Sequence, residues 1–239
     1  MDERYDVAPQ IGFDEDTAPM NFDFDDLDSD QQTLVRVVID DSGSMSDYES
    51  EVSDELDDMK NMYLGSKQVD EMILGKTLFG DRIEEGPYCL VEDWDTSYSA
   101  NGWSTKLYDA VICSVDNMKK AIADFEKKHF SAKGIIVFLS DGHDNDSAWG
   151  AKAKAKAALQ GLTDSGIVVY FIEFGPEARG VATELGIPRD YILKAGDQTQ
   201  SPEERRKQLR AAFKFVSKSA LSVSQGAKAP TVPTNDFAV

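Results

Sequence analysis

Apolar and polar positions along the chain follow two alternating patterns. Six segments predict strands, and four of them are runs dominated by Val, Ile, Leu and Phe; the segments are residues 34–39, 72–79, 82–85, 135–139, 167–174 and 191–193. Continuous apolar runs of this length are typical of strands that are buried on both faces of a sheet.

Helical patterns lie between these strands. Val52, Leu56, Met59 and Tyr63 recur at spacings of four, three and four, and the same stripe returns in residues 111–125 and 209–220. Residues 148–162 are rich in Ala and Lys, which favour helix. Ser201-Pro202-Glu203-Glu204 has the composition of a helix start, with a capping serine followed by proline and acids. Alternation of strands and helices predicts a mainly parallel sheet with helices on both faces.

The charge of the chain is concentrated at its amino end. The formal net charge is −19, and residues 1–32 hold eleven acidic side chains and one basic one. This composition is typical of a mobile tail, but the segment also contains aromatic and aliphatic residues that suit an arm docking on a surface, and both interpretations stay open. We expect an acidic arm at 1–32, a folded domain at 33–223 and a carboxyl-terminal tail at 224–239.

Composition excludes several classes of function. An acidic chain lacks the basic footprint that binding to nucleic acid requires. No stretch is apolar enough to span a membrane, and the amino end has no signal-peptide pattern. Cys89 and Cys113 are too few for a disulfide framework or a zinc site. A cytoplasmic protein that binds neither nucleic acid nor membrane is expected.

One strand run ends in a cluster of oxygen-bearing side chains. Val35-Arg36-Val37-Val38-Ile39 leads directly into Asp40-Asp41-Ser42-Gly43-Ser44. Polar residues just past the carboxyl end of a parallel strand lie where open α/β sheets bind ligands. Carboxylate and hydroxyl oxygens are hard ligands of the kind that Mg²⁺ prefers. The segment therefore predicts a metal-dependent site.

Two later segments complete this cluster. Asn101-Gly102-Trp103-Ser104-Thr105 leads into a predicted helix, and Ser140-Asp141-Gly142 follows another buried strand. With the first motif they resemble the von Willebrand factor A (VWA) domain and its metal-ion-dependent adhesion site, whose pattern is D-x-S-x-S, a threonine before a helix and an aspartate after a later strand. The residues in those places are Asp40, Ser42, Ser44, Thr105 and Asp141. The resemblance covers residues 33–223.

This resemblance implies a Rossmann-like, three-layer α/β/α sandwich whose mainly parallel sheet has a short antiparallel edge strand. It also implies Mg²⁺ or Mn²⁺ at the top of the sheet, with the serines as direct ligands and one coordination position open to a partner's Asp or Glu. A site with few direct carboxylates leaves charge on the ion for an incoming carboxylate to neutralise. The domain is expected to be stand-alone, cytoplasmic and of bacterial or phage type.

Each of these residues also has a structural alternative. Asp40 and Asp141 suit turns at strand ends, and Thr105 suits a helix N-cap, with Ser104 competing for the family's threonine. Among enzymes, a haloacid-dehalogenase-type phosphatase would use Asp40 as nucleophile. Ser42 then stands where that class needs a general acid, and a hydroxyl is a poor one at neutral pH. The phosphate-binding G-x-x-x-x-G-K-[ST] motif of P-loop NTPases is missing from the sequence. We expect no catalytic residues.

Three functions follow in order of preference. The first is a metal-dependent interaction module, an adaptor or subunit of a cytoplasmic complex, for example with a MoxR-type AAA+ ATPase. The second is a structural subunit of a homo- or hetero-oligomeric assembly, in which residues 1–32 or the carboxyl-terminal tail occupy a neighbour's site, with self-association as one case. The third is the phosphatase. Side chains expected at a partner contact are Trp94, Tyr98, Trp103 and His143.

Overall fold

A seven-stranded sheet forms the centre of the molecule, which is described by a computed structural model over residues 18–162, 165–196 and 199–232. The strands are β1 (Gln31–Asp40), β2 (Met72–Phe79), β3 (Ile83–Glu85), β4 (Cys89–Leu90), β5 (Ser131–Ser140), β6 (Val168–Glu173) and β7 (Ile192–Lys194). Their order is β3-β2-β1-β5-β6-β7, and β4 also pairs with β2.

The sheet is mainly parallel, as predicted. β1 pairs in parallel with β2 on one side and β5 on the other, and β6 and β7 continue the parallel array. β3 and β4 are antiparallel to β2 and form the predicted short antiparallel edge. The central position of β1 explains its apolar run, because every residue from Gln32 to Asp40 is buried.

Helices cover both faces of this sheet, which confirms the three-layer architecture. The helices are α1 (Glu49–Leu64), α2 (Leu107–Lys127), α3 (Ala151–Gln160), α4 (Pro176–Glu184) and α5 (Pro202–Ser224). α1 and α5 pack in one apolar cluster, and the other three helices pack in a second cluster on the opposite face. None of the helices in the described part of the chain has the combined length and apolar character that crossing a lipid bilayer requires.

The predicted helix start at Ser201 is confirmed in atomic detail. Ser201 Oγ accepts a hydrogen bond from the Glu204 N–H, and the Glu204 carboxylate accepts one from the Ser201 N–H, which is a capping box. Two elements lie outside the sequence-based prediction. β4 has only two residues, and α4 presents a short stripe of small side chains, Ala178 and Ala182, that gives little periodic signal.

The segment before β1 lies along α2. The Ala18 N–H donates to Asp124 Oδ2 at 3.0 Å. Phe24 contacts Phe125 and Phe130, with ring centroids 4.9 Å and 5.8 Å away. Residues 18–30 of the predicted arm are therefore packed on the second apolar cluster, while residues 1–17 lie outside the described residues.

The segment after α5 packs on the sheet edge near β6 and β7. The Val232 N–H donates to the Asp190 carbonyl at 2.7 Å, and Tyr170 Oη donates to the Pro230 carbonyl at 2.8 Å. Ala229 and Val232 are buried in the first apolar cluster. The end of the predicted tail, residues 233–239, lies outside the described residues.

Candidate metal centre

The carboxyl end of β1 brings Asp40 and two serines together. Ser42 Oγ donates to Asp40 Oδ1 at 2.5 Å, and the Ser42 N–H donates to the same oxygen at 3.0 Å. Ser42 Oγ in turn lies 3.1 Å from Ser44 Oγ. The three side chains converge because the chain turns directly after Ser42 into a 3-10 helix, Gly43–Tyr48.

The Asp40 carboxylate accepts hydrogen bonds at both of its oxygens. Its side chain is fully buried, and Oδ2 accepts a 2.7 Å hydrogen bond from Ser140 Oγ, at the end of β5. Burial raises the pKa of Asp40 to about 7, against the lowering effect of the hydrogen bonds from Ser42 and Ser140, and the nearby charge of Asp141 raises it further. Because both carboxylate oxygens accept hydrogen bonds, the Asp40 side chain is fixed in place, and it orients the Ser42 hydroxyl.

Thr105 lies on a loop that is joined to the loop carrying Asp141. The Thr105 N–H donates to Asn145 Oδ1 at 2.8 Å, and the Thr105 carbonyl accepts from the N–H groups of Asn145 and Asp146 at 3.1 Å and 3.2 Å. The Thr105 side chain is buried. This pairing holds the start of α2 against the loop that follows β5.

The Thr105 loop is also joined to the end of β1. The Gly43 N–H donates to the Gly102 carbonyl and the Gly102 N–H donates to the Asp41 carbonyl, each at 2.8 Å. A Cβ on Gly102 would lie 3.2 Å from the Asp41 carbonyl oxygen, so glycine allows this close approach. The three sequence motifs therefore meet at one edge of the sheet.

Asp141 follows β5 at the same edge and is half-buried. Its Oδ1 accepts a hydrogen bond from the His143 N–H at 3.2 Å. Hydrogen bonds connect Asp40, Ser42 and Ser44, the charge of Asp141 acts on Asp40, and Thr105 is placed by its loop. The structure thus brings the five residues to one edge, with Asp40, Ser42 and Ser44 in direct contact.

The donor set fits a small, hard divalent cation. Neighbouring ligands of an octahedral Mg²⁺ with bonds of 2.0–2.1 Å lie about 2.9 Å apart, and the two serine hydroxyl oxygens are 3.1 Å apart. Among the described residues no cluster of three His, Cys, Asp or Glu side chains forms a metal site. The five residues at this edge offer three hydroxyls and two carboxylates.

Asp41 is the neighbour that adds negative potential to this edge. Burial raises its pKa to about 6, and the charges of Asp81 and Glu84 raise it further. Its Oδ1 is buried without a hydrogen-bond partner. A Cβ on Gly80 would clash with this oxygen, at 2.3 Å, so the carboxylate is closely packed against the end of β2.

Two of the predicted contact residues are buried. Trp94 is 2% exposed because the 3-10 turn Val91–Asp93 directs its ring into the apolar cluster beneath α1. Tyr98 is 7% exposed and donates a hydrogen bond to the Asp40 carbonyl. Neither ring is available to a partner in this structure, so these two residues support the site from within.

The remaining exposed rings lie on the loops at the carboxyl edge of the sheet that carries Asp40, Thr105 and Asp141, called the metal edge below. Trp103 is 94% exposed and His143 is exposed, in agreement with their expected positions. Trp149, on the loop after β5, is fully exposed and was not among the predicted contacts. Its signal in the sequence was a lone tryptophan in a polar loop next to the Asp141 motif.

Comparison with known proteins shows the fold. No family model matches the chain, and no curated protein matches its sequence. Among solved structures, the pilus adhesin SpaC from Lactobacillus rhamnosus GG is 10% identical with a TM-score of 0.61, covering 87% of this chain and 31% of SpaC. The SpRpn10 VWA domain is 11% identical with a TM-score of 0.50, covering 74% of this chain and 94% of that domain.

A third structure adds a metal to this likeness. Proximal thread matrix protein 1 of the mussel byssus, with a zinc-occupied MIDAS motif (its metal-ion-dependent adhesion site), is 13% identical with a TM-score of 0.51, covering 78% of this chain and 46% of that protein. The chain thus spans about a third of SpaC and less than half of the byssus protein. These likenesses establish a VWA-like fold, and one of the similar structures holds zinc in its own MIDAS motif.

Proposed function

We propose that this protein is a metal-dependent protein-interaction module. Mg²⁺ or Mn²⁺ binds directly at Ser42 and Ser44, and Thr105, Asp40 and Asp141 act directly or through water. A partner protein then supplies an Asp or Glu carboxylate that completes the coordination of the ion. The partner could be a subunit of a cytoplasmic complex, such as a MoxR-type AAA+ ATPase.

The observation that carries this proposal is the placement of Ser42 and Ser44. Their hydroxyl oxygens are separated by the distance expected for adjacent ligands of a small cation, and Asp40 holds Ser42 by a buried hydrogen bond. Hydroxyl ligands are neutral, so the bound ion keeps most of its charge. An external carboxylate is the group that such an ion attracts most strongly.

The geometry favours binding over phosphatase chemistry. A phosphatase nucleophile needs an accessible carboxylate oxygen, whereas Asp40 is fully buried and both its oxygens accept hydrogen bonds. Ser42 donates to Asp40 and offers no second carboxylic acid. We therefore propose that the site binds a partner and does not catalyse a reaction.

Calorimetry tests the metal site. The wild-type protein should bind Mg²⁺ or Mn²⁺, and Asp141→Asn and Ser44→Ala should each weaken binding by about tenfold or more. Asp47→Asn is the matched control, because Asp47 is exposed on the same turn and is no proposed ligand. Equal affinity in the wild type and all three variants would remove the assignment.

Partner capture tests the interaction. The full chain, immobilised with Mg²⁺, should retain one or more proteins from a lysate of its source cell, and EDTA should release them. The Asp141→Asn protein should retain none of these proteins, and the Asp47→Asn protein should retain all of them. Retention that is unaffected by EDTA would contradict a metal-dependent interaction.

A further inference from the structure

Two tryptophans are exposed on the loops of the proposed metal edge. Trp103 is 94% exposed and Trp149 is 100% exposed, and with Leu64 they form the complete set of exposed large hydrophobic side chains in the described residues. Both lie on loops at the carboxyl edge of the sheet. Fully exposed indoles are uncommon on monomers, and Trp is the residue most enriched among the anchors of protein interfaces.

The loops that carry these rings are held in place by main-chain hydrogen bonds. Gly102, next to Trp103, is bonded to both Asp41 and Gly43 at 2.8 Å. The N–H of Ala148, next to Trp149, donates to Asp109 Oδ2 at 2.9 Å. The two rings are thus presented on the same loops that place Thr105 and Asp141, and little ordering is needed when a ligand binds.

A ligand that uses the whole edge must offer a carboxylate beside an apolar ring. The chain contains such a segment just before the described residues, Ile11-Gly12-Phe13-Asp14-Glu15-Asp16. It combines three consecutive acids with a phenylalanine. This is the chemistry that a divalent ion with exposed indoles on the neighbouring loops would select.

This segment cannot reach the candidate metal site of its own domain, because the point where it joins the domain is too far away. The Ala18 N–H is bonded to Asp124, which is 17 residues along α2 from Leu107 and therefore about 26 Å from the metal edge. Asp14 is four residues before Ala18, and four extended residues span at most about 14 Å. The carboxylates of residues 14–16 can reach only the site of another molecule.

We infer that residues 13–16 of one copy bind the metal edge of a second copy, with a carboxylate on the ion and Phe13 against the exposed indoles. This inference rests on the proposed function, because it assigns the ligand of that site. Ala18, the first described residue after this segment, is bonded near the end of α2 that lies away from the site. If each copy places its segment on the other's site, the exchange is reciprocal and closes into a two-fold dimer.

The test is the mass of the full chain in solution, measured by analytical ultracentrifugation with Mg²⁺ and with EDTA. The wild type should be dimeric in Mg²⁺ and monomeric in EDTA. Asp14→Asn/Glu15→Gln/Asp16→Asn should raise the dimer dissociation constant by about tenfold or more, and Trp103→Ala/Trp149→Ala should do the same.

A control with the same charge change separates coordination from general electrostatics. Asp25→Asn/Asp26→Asn/Asp28→Asn neutralises three exposed acids of the packed segment, and the dimer should persist in Mg²⁺. A mass that does not respond to EDTA, or a 14–16 variant that dimerises like the wild type, would overturn the inference. Mg²⁺ calorimetry on the wild type keeps the two proposals apart, because a wild-type chain that binds the ion but stays monomeric rejects only this one.

Discussion

Tyr98 Oη donates a 2.6 Å hydrogen bond to the main-chain carbonyl of Asp40, although the two residues are 58 positions apart. Burial raises the pKa of Tyr98, so its phenol stays protonated and remains a donor. The bond fixes the last peptide of β1 from the side of the long loop between β4 and α2. The long loop therefore supports the candidate metal site from beneath, with the Tyr98 ring inside the domain.

Tyr98→Phe should lower both the free energy of unfolding and the affinity for Mg²⁺. The variant keeps the ring in the core but leaves a buried carbonyl without its donor, which costs about 1–3 kcal/mol. Urea denaturation measures the loss of stability, and calorimetry should show a several-fold weaker Mg²⁺ affinity. Tyr191→Phe, which removes a phenol far from the metal edge, is the control and should bind Mg²⁺ like the wild type.

Asp40→Asn should stabilise the protein in EDTA and greatly reduce its stabilisation by Mg²⁺. The pKa of Asp40 is about 7 in the folded protein, above its ordinary value of 3.8. Between these two pH values the native state therefore keeps a proton that the unfolded state has released. The wild type in EDTA therefore loses stability as the pH rises from about 4 to about 7, and the variant lacks this loss. Above pH 7 the variant should be the more stable of the two in EDTA.

Adding Mg²⁺ reverses this order. At a hundredfold excess of ion over its dissociation constant, the wild type gains about 2.7 kcal/mol, and Asp40→Asn gains much less because Ser42 loses its charged acceptor. Thermal denaturation at several pH values, with EDTA and with Mg²⁺, measures both effects. If the wild type in EDTA were equally stable at pH 5 and pH 8, the buried charge would not act as described.

Local sequence patterns were sufficient for the layers of the fold. The β-branched run of β1 and the four-three-four spacing in α1 report burial directly, because each reflects one face packed against a neighbour. The shared edge was predictable for a related reason, because parallel strands end at one edge of a sheet. That Asp40 and Asp141 are close neighbours there follows from the pairing of β1 with β5, which the structure shows. Capping at Ser201 followed from local hydrogen-bond chemistry alone.

The loops could not be predicted in the same way. Trp94 and Trp103 are both tryptophans of one loop, and only tertiary packing decides that the first is buried and the second exposed. α4 was missed because its apolar face consists of small side chains such as Ala178. Arg36 is the sharpest case, since a cation in the middle of an apolar run is fully buried in the structure.

Arg36→Lys should destabilise the protein more than Arg36→Met does. The guanidinium donates to Thr77 Oγ1 at 2.9 Å and to the Gly86 carbonyl at 3.2 Å, and it lies 4.2 Å from the centre of the Tyr88 ring. Lysine keeps a buried charge without this planar set of donors, at a cost of about 3 kcal/mol or more, whereas methionine removes the charge and fills the space.

Chemical denaturation of both Arg36 variants decides between these costs. The arrangement depends on Gly75, where a Cβ would lie 2.8 Å from an Arg36 nitrogen. Gly75→Ala should therefore destabilise the wild type but be better tolerated together with Arg36→Met. Equal effects of Gly75→Ala in both backgrounds would show that the guanidinium is not the group that needs the space.

Gly142→Ala should be strongly destabilising, because this glycine joins the metal edge to α4. Its φ is +88°, and a Cβ would lie 2.3 Å from Ala178 Cα and 2.6 Å from the Ala178 nitrogen, which are backbone atoms that cannot move aside cheaply. We expect a loss of about 3 kcal/mol or more in urea denaturation. Gly166→Ala is the matched control, since its φ is +74° with open space around the Cβ, and it should cost only about 1 kcal/mol.

In the folded fraction of Gly142→Ala, displacement of Asp141 should also weaken Mg²⁺ binding, whereas Gly166→Ala should bind Mg²⁺ normally. Similar losses of stability in the two variants would mean that backbone strain alone, and not contact with α4, sets the requirement for glycine after Asp141.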